Sequence, residues 1–287
     1  VEQAAAVLHP PMRAAVIQFE AGVDKAANIA TAAALIDEAM ARQAPTLVSL
    51  PEMWTCLGGD RATKLRQAET LNGYDGIPSA CQFMAQTARR HGITLHGGSI
   101  GELAGGELFN TTLVFGPDGA ELGRYRKIHM FDVTTPSGEG YQESRAFGAG
   151  TTPVVVDAPE GIRLGLSICY DVRFPEHYLA LRRQGAEVML VPSAFTAETG
   201  RDHWEILLRA RAIETQSWVI AAATTGRHSD AQGRARLTWG HSLIIDPWGA
   251  VHAALGAAPG FAVADIDMAQ LARVRAAMPV LQHRRLV

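Results

Sequence analysis

The stretch RAAVIQFEAGVDKAANIATAAALIDEAMARQAPTLVSLPE, Arg13 to Glu52, decides the fold. Arg13–Phe19 is short, apolar and partly β-branched, which reads as a buried strand. Asp24 offers an N-cap for a helix running to about Gln43, with Ile29, Ala33, Ile36 and Met40 on one face at helical spacing. Pro45 stops that helix, and Thr46–Leu50 (TLVSL) is a second buried strand. Strand, helix, strand is the βαβ unit, whose parallel pair needs apolar cover on both faces.

The alternation continues outward. A helix is expected over Ser79–His91, followed by a strand at Ile93–Ile100. LFNTTLVFG and AELGRYRK form a hairpin around the turn signal Pro117-Asp118-Gly119. A long loop, Ile128 to Gly150, follows, and loops of that length inside a domain are often functional. In the second half, PVVVD and IRLGLSI (Ile162–Ile168) read as strands, Phe174–Gln184 as a helix, EVMLVPSAF as strand and turn, and Asp202–Gln216 as a helix. WVIAAATT, HSLIIDPWG and FAVADI supply further strands. No composition shift marks a linker, so the reading is one α/β domain.

Bulk properties narrow the function. The 287 residues can bury a sizeable core, and a net charge of −3 supplies no basic field for nucleic acid or an anionic membrane. No apolar run reaches the ~18 residues of a membrane helix. Three cysteines, Cys56, Cys81 and Cys169, form no disulfide framework, which suits a reducing compartment and a cytoplasmic setting. Residues 1–11, VEQAAAVLHPP, lack the basic n-region of a signal peptide and read as an N-terminal extension outside the fold. There is no Cys pair with zinc spacing, no GxSxG elbow and no strand–GxGxxG–helix fingerprint, so neither metal nor cofactor is implied.

Three residues stand where chemistry could be done. Cys169 ends a hydrophobic strand and opens a polar turn, where a helix N-terminus would lower a thiol pKa and offer N–H groups to an oxyanion. Glu52 follows TLVSLP at the C-terminal edge of its strand, the edge where open α/β sheets gather ligands. Lys127 ends GRYRK at the mouth of the long loop. Each alone has an ordinary structural reading: a buried thiol, a loop charge, a solvated strand end.

Together they carry more. PEMW, GRYRKIHMFD and LSICYDVRFPE, in that order, resemble the Glu, Lys and Cys signatures of the nitrilase, or carbon–nitrogen hydrolase, superfamily. The resemblance runs from Arg13 to Arg285 and includes GYQES, PSAFTAETGRDHWEILLRARAIETQ, GHSLIIDPWG and MPVLQHRR. It implies an αββα sandwich over residues 12–287, commonly paired into an αββααββα homodimer. It also implies Cys169 as nucleophile, Glu52 as general base, Lys127 as oxyanion stabiliser, and Glu143 as a second active-site carboxylate; beside Lys127, the backbone N–H of Tyr170, next after the nucleophile, is expected to hold the oxyanion. Positions matching Arg173, Phe195 and Thr199 contact an α-keto acid end in related amidases. For Arg173 a salt bridge with Glu176 or Asp171 is the competing reading.

Within the superfamily the sequence resembles the deaminated glutathione amidase branch and the neighbouring ω-amidase branch. The implied reaction is hydrolysis of a small α-keto acid amide to carboxylate and ammonia through a thioester. N-carbamoyl or aliphatic amide hydrolysis, and a non-catalytic binding protein on the same fold, are the alternatives. Against the family pattern the chain resembles, GRHSDAQGRARLTWGHS is longer than in many members and is expected to reshape the pocket rim, and TTPSGEG before Tyr141 is also unusual.

Overall fold

The computed structural model describes residues 12–71, 79–159, 161–229, 233 and 235–285. The expected extension, residues 1–11, lies outside the described residues. Two sheets form the middle of the molecule. From one edge, the first runs Gly260–Ile266, Met12–Gln18, Leu47–Ser49, Thr94–His96, Glu107–Phe115 and Ile100–Ala104, with Glu121–Arg126 also paired to Glu107–Phe115. The second runs Val251–Ala254, Leu243–Ile245, Trp218–Ala221, Val188–Leu190, Arg163–Leu166 and Val155–Asp157. Each has three parallel strands at its centre and antiparallel partners outside them.

The side-chain period of two sorts the first strand between two cores. Ala14 and Val16 join Leu47, Val114 and Tyr125 in the cluster shared with Leu164 and Leu166 of the second sheet. Ala15 and Ile17 face the other way, toward helix α1 (Lys25–Gln43) and helix α3 (Ala80–His91). Helices α4 (Pro175–Arg183) and α5 (Ala197–Thr215) pack on the second sheet through Tyr178, Leu181, Trp204, Leu208 and Ala212. The result is the αββα sandwich. A short helix, α2 (Arg61–Gln67), capped by Asp60, had not been expected from the sequence.

Three local readings differ from the sequence expectation. The buried face of α1 is Asn28, Ala32, Ile36 and Ala39, turned slightly from the expected stripe. Asn28 is buried because its side chain is saturated by Gly22 N–H, Gly22 O and Thr55 O, which apolar periodicity cannot show. The segment ITLHGGSI is two strands, not one. Gly98 adopts φ +59, and a Cβ there would lie 2.0 Å from the Pro51 carbonyl oxygen. That close approach seats the turn carrying Glu52. Helix α5 begins at Ala197, not Asp202, capped by Thr196. Gly200 lies inside that helix with Trp239 packed so close that a Cβ there would meet it at 2.4 Å.

The long loop has structure of its own: a small hairpin, Asp132–Thr134 with Gly140–Gln142, then the turn Glu143–Arg145. TTPSGEG supplies that hairpin's connection. The unusual GRHSDAQGRARLTWGHS segment forms most of a second hairpin, Thr225–Ser229 with Ala235–Trp239. Positions 230–232 and 234 of it lie outside the described residues.

Candidate active site

Parallel central strands bring Glu52, Cys169 and the Ser193–Ala194 turn to the same end of the sandwich, because each follows the C-terminal end of its own strand. Glu52 is 4% exposed. Its Oε2 accepts the Ala194 N–H at 2.7 Å, and its Oε1 accepts from Asn110 Nδ2 at 2.9 Å and Lys127 Nζ at 3.0 Å. Lys127 is 2% exposed, and its N–H donates to the Asn110 carbonyl as the strand Glu121–Arg126 ends. Its ammonium also reaches both oxygens of Glu143, at 3.0 and 2.8 Å. Glu143 is fixed in turn by the Phe131 N–H at 2.7 Å. One buried cation therefore sits between two carboxylates. Burial works against its charge, but Glu143 and Glu52 outweigh that and raise its pKa well above the ordinary lysine value.

Cys169 is also buried, with φ +48 and its N–H on the Pro192 carbonyl. The expectation of a helix N-terminus that lowers its pKa is corrected. The following turn, Cys169–Arg173, is a single five-residue 3-10 segment. Burial and the Glu52 carboxylate push the thiol well above its ordinary value, against the opposing pull of Lys127. Glu52, Lys127, Glu143, Cys169 and Tyr170 all line one cavity of about 300 Å³. That volume is at the lower end of the ~300–1,000 Å³ usual for small-molecule sites. Among the described residues no group of His, Cys, Asp and Glu side chains could hold a metal ion.

The carbon–nitrogen hydrolase family model matches residues 13–276. The chain belongs to the carbon–nitrogen hydrolase family. It is 45% identical over 278 residues to the deaminated glutathione amidase of Synechocystis sp., covering 96% of this chain and 98% of that one. It is 38% identical over 275 residues to the omega-amidase of Homo sapiens, covering 95% of each. Among solved structures it is similar to Saccharomyces cerevisiae Nit3, a member of branch 10 of the nitrilase superfamily. The TM-score is 0.85 at 31% identity, over 99% of this chain and 100% of that one. Family and amidase relatives together make this an amide-hydrolysing enzyme, which answers the non-catalytic alternative.

The turn that carries Cys169 in this hydrolase is held from below by Asp171, fully buried at 0% exposure. Its carboxylate accepts from Tyr125 Oη at 2.8 Å, Ile168 N–H at 2.8 Å, His129 N–H at 3.1 Å and His129 Nδ1 at 2.7 Å. Burial opposes its charge, yet the His129 hydrogen bond, His177 and the Ile168 N–H hold its pKa below the usual carboxylate range. Asp171→Asn puts an amide where four donors converge, and the expected cost is on the order of 3–5 kcal/mol. A depressed carboxyl pKa gives stability present above the unfolded value of about 3.9 and lost as pH falls through the folded value. Urea midpoints of protein and variant should therefore differ at pH 7 and converge as the pH falls below about 4.

Of the remaining sequence candidates, Phe195 and Thr199 line the cavity and Arg173 does not. The Arg173 guanidinium lies 5.2 Å from the Phe195 ring centroid and 5.8 Å from that of Tyr170, with Nη1 3.2 Å from His203 Nδ1. It forms no ion pair with Glu176 or Asp171. Asn110 was not singled out in the sequence. Carboxylates only accept, so its Nδ2 must face Glu52 and Glu143, which leaves the buried Oδ1 without a partner among the described residues. The available signal was an amide in the middle of LFNTTLVF, a strand otherwise buried and largely apolar. The Ala194 N–H had no sequence signal, since any residue type supplies it.

Proposed function

We propose that this hydrolase cleaves an α-keto acid amide, with deaminated glutathione as its substrate, through a thioester on Cys169. The observation that carries the reading is Lys127 within 3.0 Å of both Glu52 and Glu143, on the wall of the cavity that contains the thiol. A thiol held protonated needs a base, and Glu52 beside it is that base. As the proton passes to Glu52, Sγ attacks the amide carbon, and the oxyanion is held by Lys127 and the Tyr170 N–H. Glu52 then protonates the departing nitrogen, the C–N bond breaks, and the thioester remains. Water, deprotonated by Glu52, attacks the thioester; the acid leaves and the proton returns to Cys169. Glu143 and Asn110 keep Lys127 and Glu52 in register. A primary carboxamide releases ammonia by this route. Deaminated glutathione, an N-substituted amide, releases the dipeptide amine.

Arg173, Phe195 and Thr199 are assigned to the keto-acid end. Arg173 has no carboxylate partner among the described residues, and a guanidinium binds a carboxylate through two parallel donors. A homodimer is supported by Ile206 and Ile213, seven residues apart on α5 and 70% and 51% exposed, with Trp248 exposed near Ile213. The free thiols Cys56, Cys81 and Cys169 suit a cytoplasmic setting. The described helices include none long and apolar enough to cross a membrane.

Initial rates on deaminated glutathione, α-ketoglutaramate, glutamine, an N-carbamoyl amine and a simple nitrile test the reading. Keto-acid amides should exceed glutamine in kcat/KM by at least about 100-fold, since a cationic amino group replaces the keto oxygen in glutamine. Turnover of only the carbamoyl or aliphatic compounds would overturn it. A higher kcat/KM for α-ketoglutaramate than for deaminated glutathione would move the assignment to the ω-amidase branch.

A further inference from the structure

The cavity wall carries two cations besides Lys127, and Arg173 is not one of them. Lys64 of α2 and Arg236 of the Thr225–Trp239 hairpin both line it. The Lys64 ammonium donates to the carbonyls of Gly58 and Gly59, at 2.7 and 3.3 Å, which leaves its third N–H free of those bonds. Arg236 has a partly exposed Glu139 at 3.3 Å and lies 4.3 Å over the Tyr141 ring. The two cations are close enough that Arg236 adds to the burial that lowers the Lys64 pKa. Asp60 acts on Lys64 from a distance, but among the described residues Lys64 forms no ion pair with a carboxylate. Like charges drawn together on a cavity wall are what an anion site looks like when no anion is bound.

Their place in the cavity sets what that anion is attached to. The hairpin meets the Phe195 segment at Trp239, whose N–H donates to the Phe195 carbonyl. Arg236 lies three strand residues farther out, about 10 Å at ~3.3 Å per residue. Arg236 is therefore set apart on the cavity wall from Phe195, beside which Arg173 lies, with Cys169 and Glu52 also on that wall.

Resting on the keto-acid reading above, we infer that Lys64 and Arg236 bind a carboxylate on the leaving-group side of the substrate. The enzyme thus selects amides that carry an anionic tail beyond the scissile nitrogen. The C-terminal carboxylate of a dipeptide amine is such a tail, carried about two extended residues, up to ~7 Å, beyond the scissile nitrogen.

The test compares deaminated glutathione with its C-terminal carboxamide, in which only the tail charge is removed. The protein should prefer the carboxylate by about 10–100-fold in kcat/KM, mostly through KM, as expected for charge-assisted hydrogen bonds. In Lys64→Gln/Arg236→Gln that ratio should fall to about 1, and Lys64→Arg should retain much of it. Glu143→Gln should slow both substrates and keep the ratio. If Lys64 only fastens the Gly58–Gly59 turn, the double variant loses rate on both tails alike with its ratio intact, and the inference is overturned. Should neither keto-acid amide turn over, the preceding functional reading fails independently. Calorimetry of N-acetyl-cysteinylglycine and its C-terminal amide on Cys169→Ala then decides the site. Tighter binding of the carboxylate that vanishes with the double variant supports the anion site; equal binding of the two overturns it.

Discussion

Cys169→Ala should lose amide turnover by about 10⁴–10⁶-fold, with the residual rate due to binding and the oxyanion donors alone. The substitution removes one sulfur from a side chain that pairs with no other cysteine, so unfolding at pH 7 should change by no more than about 1–2 kcal/mol. Stability should also separate the two proteins at alkaline pH. The folded thiol is held well above its ordinary value by burial and Glu52. As pH rises through the unfolded value of about 8.5, the unfolded chain gains thiolate that the folded chain cannot. The protein with Cys169 should therefore lose stability between about pH 8 and 10 that Cys169→Ala keeps. Urea midpoints across that range are the measurement; parallel curves would mean that the thiol is not held protonated.

Lys127→Met should cut the rate by at least about 10²–10³-fold and be far more damaging to stability than Cys169→Ala. It leaves buried Glu52 and partly buried Glu143 with the cation between them gone, and breaking a buried ion pair from one side costs about 3–5 kcal/mol. Losing an oxyanion donor costs a further ~10²–10³ in rate, and the carboxylate pair no longer balances the thiolate. Two unscreened carboxylates force one to take up a proton, which raises its folded pKa above the unfolded value near 4.3. Stability tied to a raised pKa is present at low pH and lost as pH rises, so the variant should be more stable at pH 5 than at pH 7. Lys127 itself has a raised pKa. Its contribution in the unaltered protein is complete below the unfolded value of about 10.4 and lost only above it. A variant with an unchanged urea midpoint at pH 7 would contradict the buried ion-pair arrangement.

The parts of the fold that were legible in the sequence are those governed by one-dimensional periodicity. Arg13–Phe19 and Thr46–Leu50 stood out because both faces of a central parallel strand are apolar, and Asp24 and Ser79 because a cap has its own chemistry. What periodicity cannot encode was misread. The break at Gly97–Gly98 depends on where Pro51 passes, and α5 starts early at the Thr196 cap and runs through Gly200, against which Trp239 packs too closely for a side chain. Asn28 is buried through hydrogen bonds to distant backbone.

The same division holds at the site. Glu52, Lys127 and Cys169 are weak signals one at a time, and their order in three family signatures is what joined them. Asn110 and the Ala194 N–H were invisible because their partners lie 58 and 142 positions away. Lys64 and Arg236 belong to an unpredicted helix and to a hairpin read only as a departure, so their meeting was beyond sequence reasoning.

The central claim is a covalent acyl intermediate on Cys169, and acid-quenched mass spectrometry during turnover of α-ketoglutaramate tests it most directly. A protein mass increased by one 2-oxoglutaryl group, attached through its C5 acyl carbon after loss of ammonia, localised to the Cys169 peptide, discharged by hydroxylamine and absent from Cys169→Ala, is the expected result. Steady turnover with no adduct, or an adduct confined to Cys56 or Cys81, would contradict it.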